Sequence, residues 1–97
     1  MRIISKKVLR EFWDKYPDTE QPLNDWYRAV EKAEWQTPSD IINQFPNARV
    51  IPNNRTIFNI RGNQYRLIAY IDYSFKIVYI RFIGTHSDYD CIDAKEI

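Results

Sequence analysis

Four side chains in the last third of the sequence could together bind and cleave a phosphate diester. Two strand-like apolar runs, 65–71 and 77–83, flank a turn, and each run contains one arginine. A histidine and a tyrosine follow the second run. Guanidinium groups match phosphate oxygens, and imidazole and phenol groups can exchange protons with a reacting oxygen. The predicted site residues are Arg66, Arg81, His86 and Tyr89.

RNA cleavage without a metal ion needs three functions, and these residue types can supply them. A base removes the proton of a 2′-hydroxyl, cations stabilise the phosphate oxygens, and an acid protonates the leaving 5′-oxygen. We assign the phosphate to Arg66 and Arg81, and the two proton transfers to His86 and Tyr89 in either order. The sequence has one histidine and one cysteine, Cys91, so an ordinary zinc site would need several carboxylates. We expect no metal and no cofactor.

Each of these residues also has a structural interpretation that the sequence leaves open. The arginines could lie on a solvated sheet face, and Arg66 could instead pair with Asp72. His86 could pack against a turn, and the tyrosine that follows it could be a packing residue. Asp88 and Asp90 could either orient the histidine ring or cap the final helical turn.

The composition is that of a small globular protein with an uneven charge distribution. The chain has 97 residues, 44% of them apolar and 28% charged, and we expect one domain over 1–97 with a modest core. A net charge of +1 argues against binding of nucleic acid by bulk charge alone. The segment 49–81, however, holds six basic residues and one acidic residue, so an anionic ligand there is reasonable.

The sequence also predicts a cytoplasmic location. A single cysteine allows no intrachain disulfide, which fits a reducing compartment. Residues 1–7 lack the apolar core of a signal peptide. No apolar run approaches the roughly 20 residues that a membrane-spanning helix needs. We therefore expect a soluble protein with no membrane partner.

The first half of the chain should form helices that cover the site's sheet. Apolar side chains at helical spacing predict one helix from Lys6 to Pro17 and a second, capped by Asp18 or Thr19, that ends near Trp35. So short a connection predicts an antiparallel helical hairpin. Ser39 is expected to cap one further helical turn. The predicted apolar stripes comprise Val8, Leu9, Phe12, Trp13 and Tyr16, and Leu23, Trp26, Tyr27, Val30 and Ala33.

From residue 47 the hydrophobic period changes to two, which predicts strands. Side-chain alternation would place Arg81 opposite to both Ile80 and Phe82. A tight reversal at 61–64 should give Gly62 or Asn63 a positive φ. The predicted fold class is α+β, with the helical hairpin packed on one face of a small, mainly antiparallel sheet. The strands are predicted at 2–4, 48–51, 56–60, 65–71 and 77–83.

The sequence resembles a known family through the run FNIRGNQYRLIAYIDY followed by IVYIRFIGTHSDYD. These segments are similar to the HigB-type toxins of type II toxin–antitoxin modules, which are mRNA interferases within the wider RelE/ParE superfamily. The most specific element is a strand arginine followed by Thr-His-x-x-Tyr-Asp, here Arg81 and residues 85–90. Next is a Gly-Asn turn before a second strand arginine, here Arg66. The resemblance covers nearly the whole chain and implies a RelE-like fold.

The resemblance also implies an activity and partners. It implies an endoribonuclease that cuts mRNA, typically in the ribosomal A site, and a HigA-type antitoxin with a helix-turn-helix domain. Operator DNA would be bound only through the toxin–antitoxin complex. By position, Arg55 and Arg61 would bind the RNA backbone or ribosomal RNA, and Lys76 is a further predicted RNA-binding residue. Two alternatives stay open: a toxin of the same fold that binds gyrase, and an RNA-binding module without catalysis.

Overall fold

The chain changes from helices to strands after residue 47, where the hydrophobic period changes. The computed structural model describes all residues from Met1 to Ile97, and the α+β class is confirmed. No helix is long and apolar enough to cross a membrane. The elements in order are β1 (Arg2–Ile4), α1 (Lys6–Lys15), a 3₁₀ turn (Pro17–Thr19), α2 (Glu20–Glu31), α3 (Pro38–Gln44), β2 (Arg49–Ile51), β3 (Arg55–Ile60), β4 (Tyr65–Asp72), β5 (Ile77–Thr85) and α4 (His86–Tyr89).

The five strands form one mixed sheet in the order β1-β5-β4-β3-β2. The three pairs between β2 and β5 are antiparallel and follow one another along the chain. Strand β1 is the exception, because it lies parallel to β5, with Ile3 opposite Val78. The central strand β4 is therefore paired on both sides by its sequence neighbours, which fixes the register of the predicted site arginine that it carries.

Helices α1 and α2 bury their apolar sides in the same core as one face of the sheet. Leu9 of α1 and Leu23 and Val30 of α2 have no exposed surface, and they share the core with Leu67 and Ile71 of β4. Burying a leucine or valine side chain stabilises the fold by roughly 1.5–3 kcal/mol. This apolar packing, rather than helix propensity, holds helices of this length on the sheet.

An aromatic cluster closes the core near the end of α2. The rings of Trp26 and Phe58 meet edge to face at 5.3 Å, and the rings of Trp35 and Phe58 stack at 6.2 Å. The expectation that α2 extends to about Trp35 is wrong, because the helix ends at Glu31. Leaving the helix lets Trp35 turn into the core, where its Nε1 donates to Gln44 Oε1 at 2.9 Å.

Helix α3 begins two residues earlier than the sequence suggests. Thr37, not Ser39, is the N-cap residue, and Pro38 takes the first helical position, where its missing N–H costs nothing. The Asp40 carboxylate accepts main-chain N–H groups from Gln36 at 2.8 Å and Thr37 at 3.1 Å. These two bonds stabilise the charged form, so they hold the pKa of Asp40 below its usual value.

A β-bulge interrupts the alternation of side chains in β5. The register passes from Ile68 opposite Phe82 to Ala69 opposite Ile80, which leaves Arg81 as an extra residue. Phe82 therefore shares a face with Ile68, on the side away from the helices. The expectation that Arg81 and Phe82 point to opposite faces is wrong, because the bulge resets the alternation between them.

The reversal between β3 and β4 uses two residues with left-handed backbone conformation. Gly62, with φ of 66°, is confirmed as one of them, and the other is Arg61, with φ of 52°, rather than Asn63. A polar network ties this turn to the helical layer. Asp18 accepts a hydrogen bond from the Tyr65 hydroxyl at 3.0 Å and forms an ion pair with Arg61 at 3.0 Å. Burial raises the pKa of Tyr65, and the bond to Asp18 adds to this effect.

Candidate functional site

The sheet face turned away from the helices, here called the open face, carries three rows of paired side chains. Cross-strand pairs set the rows, which lie two residues apart along β4 and so are separated by about 7 Å. The end row comprises Asn59, Arg66 and Gly84, the middle row Ile57, Ile68 and Phe82, and the far row Arg55, Tyr70 and Tyr79. The open face is thus polar at both ends and apolar between them.

Three of the four predicted site residues meet at the end row. The Arg66 guanidinium carbon lies 5.1 Å from the centre of the Tyr89 ring. The His86 and Tyr89 rings are 6.4 Å apart, edge to face. Arg66 donates only through Nη2, to Asn63 Oδ1 at 2.8 Å, so it keeps donors for a ligand. Arg66, His86 and Tyr89 are called the end-row cluster below.

Helix α4 positions the histidine of the cluster. The hydroxyl of Thr85 accepts the N–H of Asp88 at 3.2 Å, and the Asp88 carboxylate accepts the N–H of Thr85 at 3.2 Å. His86 then donates its own main-chain N–H to Gln64 at 3.2 Å, which joins α4 to the turn before β4. One turn of helix is enough to bring residues 86 and 89 onto the same side.

The two aspartates of this segment divide the roles that the sequence left open. Asp88 is part of the helix cap. Asp90 lies 3.3 Å from Nδ1 of His86 through its Oδ2 atom. The imidazole is about half exposed, at 48%. Because Asp90 engages Nδ1, the Nε2 atom is the one left for proton exchange with a ligand.

Arg81 lies on the open face but apart from the cluster. Its guanidinium carbon is 5.7 Å from the ring centres of both Tyr70 and Tyr79. The side chain is exposed and makes no hydrogen bond or ion pair. Arg81 lies three positions before Gly84 in β5, a distance of about 10 Å along the strand. Phe82 lies between Arg81 and the end row.

The three residues predicted to bind the RNA backbone lie in different places. Arg55 is in the far row, where it donates to main-chain oxygens of Asn53 at 2.8 Å and Ile97 at 2.7 Å. Arg61 pairs with the helical layer as described above. Lys76 donates to the Trp35 main-chain oxygen at 2.8 Å, also at the helical layer. Only Arg55 shares the open face with the cluster, and a role of all three in RNA binding stays a prediction.

The C-terminal segment covers one side of the open face. The side chain of Asn53 donates to the main-chain oxygen of Lys95 at 3.1 Å, which supports the Arg55 contact to Ile97. A groove of about 460 Å³ lies between this segment and β2. Its lining includes Arg49, Tyr89 and Ile92. The groove adjoins the end-row cluster through Tyr89.

Sequence reasoning missed three residues of the open face. Phe82, Tyr70 and Tyr79 lie along the path from Arg66 to Arg81, while Asn63, which the sequence had placed in the turn before β4, holds the Arg66 guanidinium. Tyr70 follows Arg66 by four residues in one strand, so alternation alone could have placed both on one face. Phe82 could not be found this way, because the bulge is not visible in the sequence.

The side chains offer no obvious place for a metal ion. No group of three or more His, Cys, Asp or Glu side chains comes together in the structure. The single cysteine, Cys91, is exposed.

Gly84 is the point where the open face tolerates no side chain, and its replacement should be costly. A Cβ there would lie 2.6 Å from Phe82 Cζ and 3.1 Å from Asp88 Cβ. We expect Gly84→Ala to displace Phe82 and the α4 cap and to destabilise the fold by about 1–3 kcal/mol, measured by urea unfolding. Gly62→Asn is the control, because nothing lies within 4 Å of its Cβ position and asparagine tolerates positive φ. Equal stability of the two variants would contradict this steric reading.

Comparison with known proteins connects this arrangement to one family. The family described as HigB_toxin, the RelE-like toxic component of a toxin–antitoxin system, matches residues 19–92. An mRNA interferase HigB of Escherichia coli O6:H1 is 33% identical over 92 residues, covering 93% of this chain and 89% of that protein. The mRNA interferase toxin HigB of Escherichia coli K12 is 28% identical over 97 residues, covering 97% and 92%. The Shigella flexneri mRNA interferase HigB matches to the same extent. The matched region contains the whole end-row cluster, and the chain belongs to the HigB family of RelE-like toxins.

Proposed function

We propose that this protein is the toxin of a toxin–antitoxin module and acts as an mRNA endoribonuclease. The relatives carry the name mRNA interferase, and the observation that carries the proposal for this chain is the end-row cluster. There a guanidinium with unused donors, an imidazole held by a carboxylate, and a phenol lie together at the edge of the open face. These are the groups that cleavage of RNA by its own 2′-hydroxyl requires.

The proposed reaction uses one in-line displacement at phosphorus. A base removes the 2′-hydroxyl proton, the 2′-oxygen bonds to the adjacent phosphorus, and the bond to the 5′-oxygen breaks. An acid gives the departing 5′-oxygen a proton, so the products are a 2′,3′-cyclic phosphate and a 5′-hydroxyl. His86 and Tyr89 are the two proton-transfer groups, in either order. Arg66 stabilises the negative charge on the non-bridging oxygens.

Arg81 has a different position in this proposal from Arg66. Because it lies about 10 Å along β5 from the end row, we assign it to a neighbouring phosphate of the same RNA strand, with Arg66 on the scissile one. Side chains of this protein then stabilise the phosphate charge and carry out both proton transfers, and the proposed mechanism is metal-independent.

The family also supports a set of partners. A toxin of a toxin–antitoxin system implies an antitoxin, and we propose a HigA-type helix-turn-helix protein, through which the complex would bind operator DNA. The substrate is proposed to be mRNA on the ribosome, in the cytoplasm. The contact between α1 and α2 across the 3₁₀ turn supports a RelE-like helical hairpin on the sheet.

The test is the chemistry of the RNA ends. The chain is expressed from an inducible promoter, and transcript ends are mapped by ligation methods that separate 2′,3′-cyclic and 3′-phosphate ends from 3′-hydroxyl ends. We expect growth arrest with new cyclic or 3′-phosphate ends within coding regions. Intact mRNA together with a DNA damage response would instead identify a gyrase poison. RNA binding without new ends would identify a non-catalytic module.

A further inference from the structure

We propose that Tyr70 and Tyr79 form a second RNA subsite, on which a base next to the scissile linkage stacks while Arg81 binds the adjoining phosphate. This inference rests on the proposed function, because it requires the RNA strand cut at the end-row cluster to continue along the open face. The observations that carry it are separate from the cleavage chemistry. They concern two aromatic rings, the unpaired Arg81 guanidinium beside them, and their distance from the cluster.

The two tyrosine rings form a continuous aromatic surface on the open face. Tyr70 and Tyr79 are cross-strand partners, with ring centres 6.0 Å apart and planes inclined by 55°. Both are half-buried and face away from the core that the helices cover. Aromatic side chains in strands of an exposed sheet face are a common platform for bases of single-stranded RNA.

Two guanidinium groups adjoin this aromatic surface. Arg81 lies 5.7 Å from each ring centre, and Arg55 lies 5.2 Å from that of Tyr70. Arg81 takes part in no ion pair, whereas Arg55 already donates to main-chain oxygens of Asn53 at 2.8 Å and Ile97 at 2.7 Å. A cation without a carboxylate beside half-buried rings suits a ligand that brings both negative charge and flat aromatic surfaces, as a single RNA strand does.

The position of the pair fits a nucleotide that neighbours the cleaved one. Tyr70 follows Arg66 by four residues in β4, which separates the far row from the end row by about 13 Å. Phe82 fills the middle row between them and is itself half-buried. A strand with its scissile phosphate at Arg66 can therefore run past Phe82 to the tyrosine pair without leaving the open face.

Binding of an RNA that cannot be cleaved tests the subsite apart from catalysis. The probe is a fluorescent, fully 2′-O-methylated single strand of about six nucleotides, a length within the usual range for single-strand sites, with affinity read by anisotropy on the full chain. Replacing Tyr79 with alanine should weaken binding roughly 5- to 100-fold, the loss expected for one stacked base. Tyr79→Phe should bind as the wild type does, because the ring rather than the hydroxyl is required.

A matched control removes a similar ring from the helical layer. Tyr27 is also half-buried and also lies beside a cation, with Lys6 Nζ 4.9 Å from its ring centre. Tyr27→Ala should leave the affinity unchanged. Thermal unfolding of each variant identifies any loss of fold, and Tyr70→Leu, which keeps apolar bulk at this position, serves as a second variant if the Tyr79 variant is unstable.

The salt dependence of binding separates stacking from charge. Arg81→Gln should reduce the slope of log affinity against log salt by about 0.7, the value for one phosphate contact on a single strand. Tyr79→Ala should leave that slope unchanged while lowering the affinity at every salt concentration. A slope that changes in both variants would overturn the division of roles between Arg81 and Tyr79.

Other outcomes decide between the subsite and the function itself. If wild type and Tyr79→Ala bind the probe equally, or if Tyr79→Phe loses as much affinity as Tyr79→Ala, the stacking subsite is wrong and the nuclease proposal stands. The same conclusion follows if the tyrosine variants bind the probe normally and lose only their affinity for the antitoxin, because the surface would then bind a protein. If the wild type neither binds the probe nor produces new RNA ends, both proposals are wrong.

Discussion

Replacing His86 with alanine should lower the rate of mRNA cleavage by about 10²–10⁴-fold, the contribution of a positioned acid or base. The imidazole is oriented by Asp90 at 3.3 Å and lies beside the Tyr89 ring at the edge of the open face. Because the side chain is about half exposed and outside the core, the melting temperature should not change. The measurement is single-turnover cleavage of a translated transcript, with ribosomes and with the RNA alone.

A control and a graded variant make this result specific. Lys7→Ala also removes an exposed side chain that lies beside a carboxylate four residues on, Glu11 at 3.8 Å, and this variant should cleave mRNA as the wild type does. Asp90→Asn should reduce cleavage less than His86→Ala, because it loosens the ring without removing it. Full toxicity of His86→Ala in cells, with the same transcript ends, would remove His86 from the mechanism.

Replacing Leu23 with alanine should lower the free energy of unfolding by about 2–5 kcal/mol. Leu23 has no exposed surface and belongs to the core that includes Leu67 and Ile71 of the central strand. The deletion leaves a cavity between α2 and the sheet that the surrounding side chains fill only in part. Since the free energy of unfolding of a small domain is about 5–15 kcal/mol, this single change removes a large share of it. Urea unfolding followed by tryptophan fluorescence measures it.

The comparison residue for Leu23 lies on the other long helix. Val8 of α1 is 37% exposed, although its spacing predicts a core position, and Val8→Ala should cost well under the Leu23→Ala value because a surface truncation leaves no cavity. A loss at Leu23 no greater than at Val8 would mean that α2 does not pack on the sheet in the way described.

The sequence predicted the end-row cluster because its geometry is local. A short turn joins β3 to β4, the strand that carries Arg66. His86 and Tyr89 are three residues apart directly after β5. Adjacent strands with short connections leave few possible registers. The strand positions and the start of α1 at Lys6 followed from the hydrophobic period in the same way.

The remaining features depend on contacts between distant parts of the chain. The bulge at Arg81 depends on how β4 and β5 pair, and no residue type in the sequence predicts it. The end of α2 at Glu31 depends on the packing of Trp35 against Phe58 in the core, which a longer helix would not allow. The separation of Arg81 from the end-row cluster follows from the bulge and the strand rise, so the sequence could place all four residues on one sheet but could not set their distances.

The parallel pairing of β1 with β5 has a consequence for when the activity can arise during synthesis. Arg2 lies opposite Ile77, so β1, the first strand synthesised, can pair only after β5, the last strand, has been made. All three members of the end-row cluster lie between residues 66 and 89. A nascent polypeptide that stops before β5 therefore lacks His86 and Tyr89, and we expect it to lack the proposed cleavage activity.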